Sequence, residues 1–266
     1  MAWQKAVPLS LPFIHTTAAS LPRLRIHVIE AMPSLSSAGV RVSQCQHRTE
    51  DGSVQAALWA APQSAAQSAH VQAQMQALYH ARHRHLCSPL AFVVAGEDAR
   101  FAGALFEAPL HQLSLRLQKG KLASVDAQLR VLLHVASALE FLASRRIFPR
   151  HVDMDAAILN HAGEVQLLLT DVLLAHSRSE TAPLEASLVY NFGGFVKLMQ
   201  QQPPQLLQSL APVDEIVQAC RTEGVLATMG DVLVHMHAVV RIVSCDFDAI
   251  AGAAPRMPCS ATNCPP

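Results

Sequence analysis

Charge is the scarcest property of this chain. Only 15% of its 266 residues are Asp, Glu, Lys or Arg, and 20 basic residues balance 20 acidic ones to a formal net charge of zero. No run of Lys and Arg builds the stripe that tracks a phosphate backbone, so nucleic acid is not an expected partner. Long apolar runs are missing as well: no window reaches ~18 consecutive apolar residues, and no membrane contact is expected. The first residues carry one positive charge, and their apolar stretch is broken by Pro8 and Pro12, unlike a secretory signal. Six cysteines (Cys45, Cys87, Cys220, Cys245, Cys259 and Cys264) are too thinly spread for a disulfide framework and fit free thiols in a reducing compartment. The expected location is cytoplasmic. Neither Gly-x-Ser-x-Gly nor His-Glu-x-x-His occurs, which leaves hydrolase and metalloprotease readings without support.

What is present is apolar residue, at 51% of the chain. That is enough for one large domain or two small lobes sharing a core. Residues 1–22 show no period and read as an irregular arm. Alternation over 24–29 and 40–42, with Asp51-Gly52 as a turn, predicts a strand-rich opening. A helical pattern follows over 65–82. Two strands are expected at 90–94 and 101–106, joined at Gly96-Glu97-Asp98. After them the chain is mostly helical. Ser124 suits an N-cap, Asp126 sits in the first turn, and Val125, Leu129, Leu132, Val135, Ala136, Leu139 and Leu142 recur at helical spacing. Further helices are expected at 188–198, 213–220 and 228–240, with breaks at Pro203-Pro204 and Pro212. Residues 245–266 read as a disordered tail. Strands first and helices second make an α+β protein.

Several segments, in order, resemble a protein kinase. Asp51-Gly52-Ser53-Val54-Gln55-Ala56-Ala57-Leu58 is similar to the turn and third strand that end on the phosphate-holding lysine. Gln74-Met75-Gln76-Ala77-Leu78 with His83-Arg84-His85-Leu86 resembles the helix whose glutamate pairs with that lysine, and the turn after it. Pro149-Arg150-His151 aligns with His-Arg-Asp, and Thr170-Asp171-Val172-Leu173 with the Asp-Phe-Gly stretch. Ser187-Leu188-Val189-Tyr190-Asn191-Phe192-Gly193 is similar to the start of the helix on which the large lobe is built. Thr181-Ala182-Pro183-Leu184-Glu185 resembles the end of the activation segment. The last two helices resemble those of tyrosine kinases and tyrosine-kinase-like kinases. The resemblance implies a two-lobed fold, with a β-rich small lobe over 23–108 and a helical large lobe over 109–244.

Under that resemblance the chemistry is missing. Leu58 stands for the lysine and Gln74 for its glutamate; losing both is the cheaper course, since one buried charge without its partner costs ~3–5 kcal/mol. His151 replaces the catalytic base, and Ala156 or Ala157 the second metal-binding residue. Asp171 is retained as the one candidate metal ligand. Gly39, within Ser36-Ser37-Ala38-Gly39-Val40, is the one candidate for the glycine-rich nucleotide loop. Glu185 loses its arginine to Leu226, and the short stretch between the proline breaks implies that a substrate-side helix is absent.

The resulting expectation is a degenerate pseudokinase with no cofactor. It would act in signalling as a protein-interaction or allosteric module, with other proteins as partners, an active kinase among them. Leu58, Leu173 and apolar neighbours would close its cleft. The alternative is a divergent protein kinase using ATP and magnesium, with Lys119 or Lys121 as a relocated lysine. His80, His83, His85 and Cys87 match no closed zinc pattern, and the histidines read as surface residues. His134, His235 and His237 read as packing or surface residues, and Ser177, Ser179 and Thr181 as solvated hydroxyls open to modification.

Overall fold

The structure, a computed structural model, describes residues 13–16, 26–37, 39–48, 53–95, 100–109, 111–119, 122, 124–160, 164–202, 205–208 and 210–252. In chain order the elements are β1 (Phe13–Thr16), β2 (His27–Ala31), β3 (Val40–Arg48), β4 (Val54–Pro62), α1 (Ser68–His80), β5 (Ala91–Ala95) and β6 (Arg100–Glu107). There follow β7 (His111–Gln112), α2 (Leu113–Gln118), α3 (Val125–Ser144), β8 (Ile147–Pro149), β9 (Ala157–Leu159), β10 (Val165–Leu167) and β11 (Val172–Leu174). The chain continues through α4 (Arg178–Gln201), α5 (Ala211–Arg221) and α6 (Met229–Gly252). This is a mixed α+β protein.

The large sheet has the order β1-β5-β6-β4-β3-β2, antiparallel throughout except for β1, which pairs with β5 in parallel. Its alternation sorts side chains to two faces. Leu58 and Ala60 of β4 join Phe92, Phe106 and the α1 residues Val71, Met75 and Leu78 in the main core. Ala57 joins Cys45, Val93 and Leu105 in a smaller cluster, with Trp59 packed against it. Gly103 has to be glycine: its φ is +149°, and a Cβ there would stand 2.4 Å from Trp59 Nε1.

α3 forms as its stripe predicts. The Ser124 hydroxyl accepts from Ala127 N at 3.1 Å, Asp126 pairs with Arg130 at 2.8 Å, and Leu129, Leu132, Val135, Leu139 and Leu142 are buried. α3 packs along α6 and α4 and carries the short pairs β8–β11 and β9–β10 on its flank.

Four expectations need correction. The arm at 1–22 contains β1, which the sheet edge recruits through backbone pairing despite the lack of a side-chain period. The helix expected over 65–82 opens with a 3-10 turn, Ala65–Gln67, and closes at His80. The helix expected over 188–198 begins at Arg178, because Ser177 and Glu180 form a reciprocal cap: Ser177 Oγ accepts from Glu180 N at 3.3 Å, and Glu180 Oε2 accepts from His176 N at 2.8 Å. Thr181 to Glu185 are therefore helical, and Pro183 deprives only the exposed Ser179 carbonyl of its partner. Finally, α6 runs to Gly252, into the segment read as a disordered tail. The turns at Asp51-Gly52 and Gly96-Glu97-Asp98, together with Pro203-Pro204 and Lys121, lie outside the described residues. Among those residues no helix is long and apolar enough to cross a membrane.

Candidate functional site

A cavity of about 540 Å³ lies between the loop after β2, one face of α1, and the segments that flank β8 and β11. Backbone pairing builds it. β11 runs antiparallel to β8 with Val172 opposite Pro149, which sets Arg150 beside Asp171. The Arg150 Nε donates to Asp171 Oδ1 at 3.1 Å, and Arg150 N reaches the Asp171 carbonyl at 3.3 Å. From α4, the Asn191 amide donates to the Arg150 carbonyl at 3.2 Å and fixes the loop from below.

Gln74 enters from α1. It is 2% exposed, and its Nε2 donates to the Val172 carbonyl at 2.6 Å and to Asp171 Oδ1 at 3.4 Å, with His70 Nε2 3.1 Å away one helical turn back. A neutral amide thus ties α1 to β11. A carboxylate in its place could not donate to a carbonyl and would face a second carboxylate.

Across the cavity, Pro33–Leu35 forms a 3-10 turn whose Leu35 is buried. The Thr170 hydroxyl donates to the Leu35 carbonyl at 3.3 Å, and Gln112 Nε2 reaches Ser34 Oγ at 3.5 Å. The turn is itself braced, as Ser36 Oγ donates to the Met32 carbonyl and accepts from Val42 N. This loop straps the sheet to the residues before Asp171.

The site residues expected from sequence divide into two groups. Gly39, Gln74, His151, Ala156 and Asp171 all line the cavity, together with Asp153. Leu58 does not. It is 1% exposed, paired in register with Gln44 and Phe106, and belongs to the sheet core. Leu173 is half-buried against the same core. The expected closure of the cleft by these two leucines is therefore corrected: they satisfy the core, and an open cavity remains. Lys119 is exposed at the end of α2 and does not line it.

A magnesium nucleotide fits this donor set poorly. Hard cations take several oxygen ligands, yet Asp171 Oδ1 already meets a guanidinium and an amide, and Ala156 offers no side-chain ligand. Among the described residues no group of three His, Cys, Asp or Glu is arranged to hold a metal. Gly39 gives no special access either, since a Cβ there would make ordinary contact with Gln67 at 3.7 Å. No family model and no curated protein matches the chain.

The histidines set down as surface residues are corrected in part. His85 is 5% exposed and its Nδ1 meets the Val165 carbonyl at 3.0 Å. Its ring stacks on His134 at 3.9 Å, His83 stands 5.5 Å from it, and His83 stacks on Phe141. Arg84 pairs with Glu164 beside them. Burial, followed by the neighbouring cations, lowers all three imidazole pKa values, that of His134 to about 4. Glu185, without an arginine at Leu226, accepts from Met229 N at 3.2 Å, at the start of α6. Sequence reasoning missed Asn191, the strap at Leu35 and the His85–His134 stack. Only the first had a signal, a polar side chain among the apolar positions of α4.

Proposed function

We propose that this chain is a two-lobed, kinase-like domain without phosphoryl-transfer chemistry, a pseudokinase acting in signalling as a protein-interaction or allosteric module. One observation carries the reading. At the two positions where the resemblance puts a pairing glutamate and a metal-binding aspartate, Gln74 and Asp171 are bonded to each other, and Arg150 neutralises the aspartate. The order of elements also supports it: α1 follows the strand that bears Leu58, and Gln74 on that helix meets Asp171 across 97 residues of sequence.

Each hydrogen bond to a charged group is worth ~1.5–3 kcal/mol, so the loss of two or three moves a micromolar nucleotide site to millimolar or worse. A thermal-shift titration with ATP, with and without magnesium or manganese, tests this. A ligand at ~100 times its Kd adds ~2.7 kcal/mol of stability. No shift is expected at millimolar ATP; a clear metal-dependent shift overturns the reading. The second reading, a divergent ATP-dependent kinase, draws on the 540 Å³ cavity with Asp153 and Asp171 on its wall, and the same titration separates the two.

A further inference from the structure

α4 has two adjacent glycines, Gly193 and Gly194, in its interior, where glycine weakens a helix relative to alanine. The first is accounted for: a Cβ on Gly193 would stand 2.7 Å from the Cys220 Cβ of α5. The second is not. A Cβ on Gly194 would meet nothing within 4 Å, so no packing inside the chain calls for its absence.

Gly194 forms part of the floor of a groove of about 350 Å³. On one side stands Tyr190, 53% exposed, with the Arg221 guanidinium 5.4 Å from its ring centroid; on the other are Lys197 and Leu198, the latter 42% exposed. Neither Lys197 nor Arg221 has an acidic partner among the described residues. Among the described residues the one carboxylate on the groove is Asp153, which lies with His151 at the end shared with the main cavity. α4 and α5 are joined by a short connection, and the described part of it, with turns at 206–208, does not line this face. The groove therefore has an exposed aromatic, an exposed leucine, a bare backbone floor and an excess of positive charge.

We propose that this face of α4 docks an acidic peptide segment of a partner protein. An apolar side chain of that segment seats over Gly194 between Tyr190 and Leu198, and its carboxylates meet Lys197 and Arg221. The missing Cβ gives the anchor room, and the two cations set the sign of the partner. The proposal rests on the interaction-module reading and names the partner's chemistry. The groove and the cavity share His151 and Asp153, which follow Arg150 in the chain.

The test uses fluorescein-labelled peptides of about 12 residues, each with one Leu or Phe among Glu and Ser, and matching peptides with Lys for Glu, read by fluorescence anisotropy against the full chain. Saturable binding of acidic peptides is expected, at least about tenfold weaker for Lys197→Glu with Arg221→Glu and for Gly194→Leu, and absent for the lysine peptides. Gly194→Leu is expected to melt no lower than the native chain, which separates loss of the groove from loss of the fold. The proposal fails if no acidic peptide binds at ~1 mM, if the variants bind equally, or if lysine peptides bind as well. It also fails if sedimentation shows a dimer of this chain that the charge reversals dissolve, since the occupant is then a second copy. An ATP-dependent thermal shift would sink the pseudokinase reading while leaving the anisotropy result intact; absent peptide binding with no such shift sinks the groove alone.

Discussion

Placing a carboxylate at position 74 should damage the protein in a way that depends on pH. In Gln74→Glu the ionised side chain cannot donate to the Val172 carbonyl, now 2.6 Å from the amide, and it faces Asp171 Oδ1 at 3.4 Å. At an effective dielectric of ~20, two charges ~4 Å apart repel by ~4 kcal/mol, offset in part by Arg150. The orphaned carbonyl adds ~1–3 kcal/mol. Protonation offers an escape, because the neutral acid is nearly isosteric with glutamine and can donate its O–H to Val172. Keeping a carboxyl of reference pKa ~4.3 neutral costs ~1.36 kcal/mol per pH unit, hence a ceiling of ~4.4 kcal/mol at pH ~7.5 and ~1.6 at pH ~5.5. The sign follows from linkage: the folded-state pKa of the introduced group is raised, so stability relative to the native chain is full below ~4.3 and is lost as pH rises toward the raised value. Urea denaturation at the two pH values measures this. Gln74→Met, which removes the donor without adding charge, should cost ~1–3 kcal/mol at both. Equal destabilisation of Gln74→Glu at both pH values, or none, would refute the claim that this amide is a buried donor against a carboxylate.

Other consequences can be checked directly. Gly193→Ala puts a Cβ 2.7 Å from that of Cys220 and should cost ~1–3 kcal/mol by overpacking, whereas Gly194→Ala, with open space around it, should gain ~0.5–1 kcal/mol; paired thermal melts give both signs. Burial pushes the Cys45 thiol up to about 11 and those of Cys87 and Cys220 up to about 12, so maleimide labelling with peptide mapping should leave these three unmodified until the chain unfolds. The His83, His85 and His134 pKa values are lowered from the ordinary 6.5, so their stabilisation is complete above that value and is lost as pH falls from it toward about 4 for His134. His134→Phe, which keeps the stacked ring without the titration, should flatten the stability profile between those limits, and an unchanged profile would refute the assignment.

The parts of this fold that could be read from sequence are those set by local chemistry. Ser124 and Asp126 announce α3, and its apolar stripe is long enough to fix a period. The start of α4 was equally available, since Ser177-x-x-Glu180 is a capping box, but reading Thr181 to Glu185 through their resemblance to the end of an activation segment concealed it. β1 could not have been foreseen, because a short edge strand joins through main-chain bonds that leave no mark on side-chain pattern. The site follows the same division. Gln74, His151, Ala156 and Asp171 reach one cavity because the order of elements brings them there, whereas Leu58 is drawn into the sheet by its own apolarity. The Leu35 strap depends on a threonine hydroxyl reaching a carbonyl 135 residues away, and no local pattern encodes such a pairing.

Asp171 shows why a carboxylate that matches a motif need not carry the motif's chemistry. Its carboxylate is bonded to Arg150 and Gln74, and its backbone carbonyl accepts from Arg150 N, so it joins α1, β8 and β11 at a single point. With Leu58 buried in the sheet and no lysine on the cavity wall among the described residues, Arg150 is the cation positioned to balance it. A structural role of this kind makes a distinct prediction from a metal-binding one. Asp171→Asn keeps an acceptor for both donors and should lose only the charge-assisted part of each bond, ~1 kcal/mol or less given the exposure of Arg150, while Asp171→Ala leaves the buried Gln74 amide short of an acceptor and should cost more. If magnesium or manganese stabilises the native chain but not Asp171→Asn, the carboxylate is a ligand and the structural account of Asp171 is wrong.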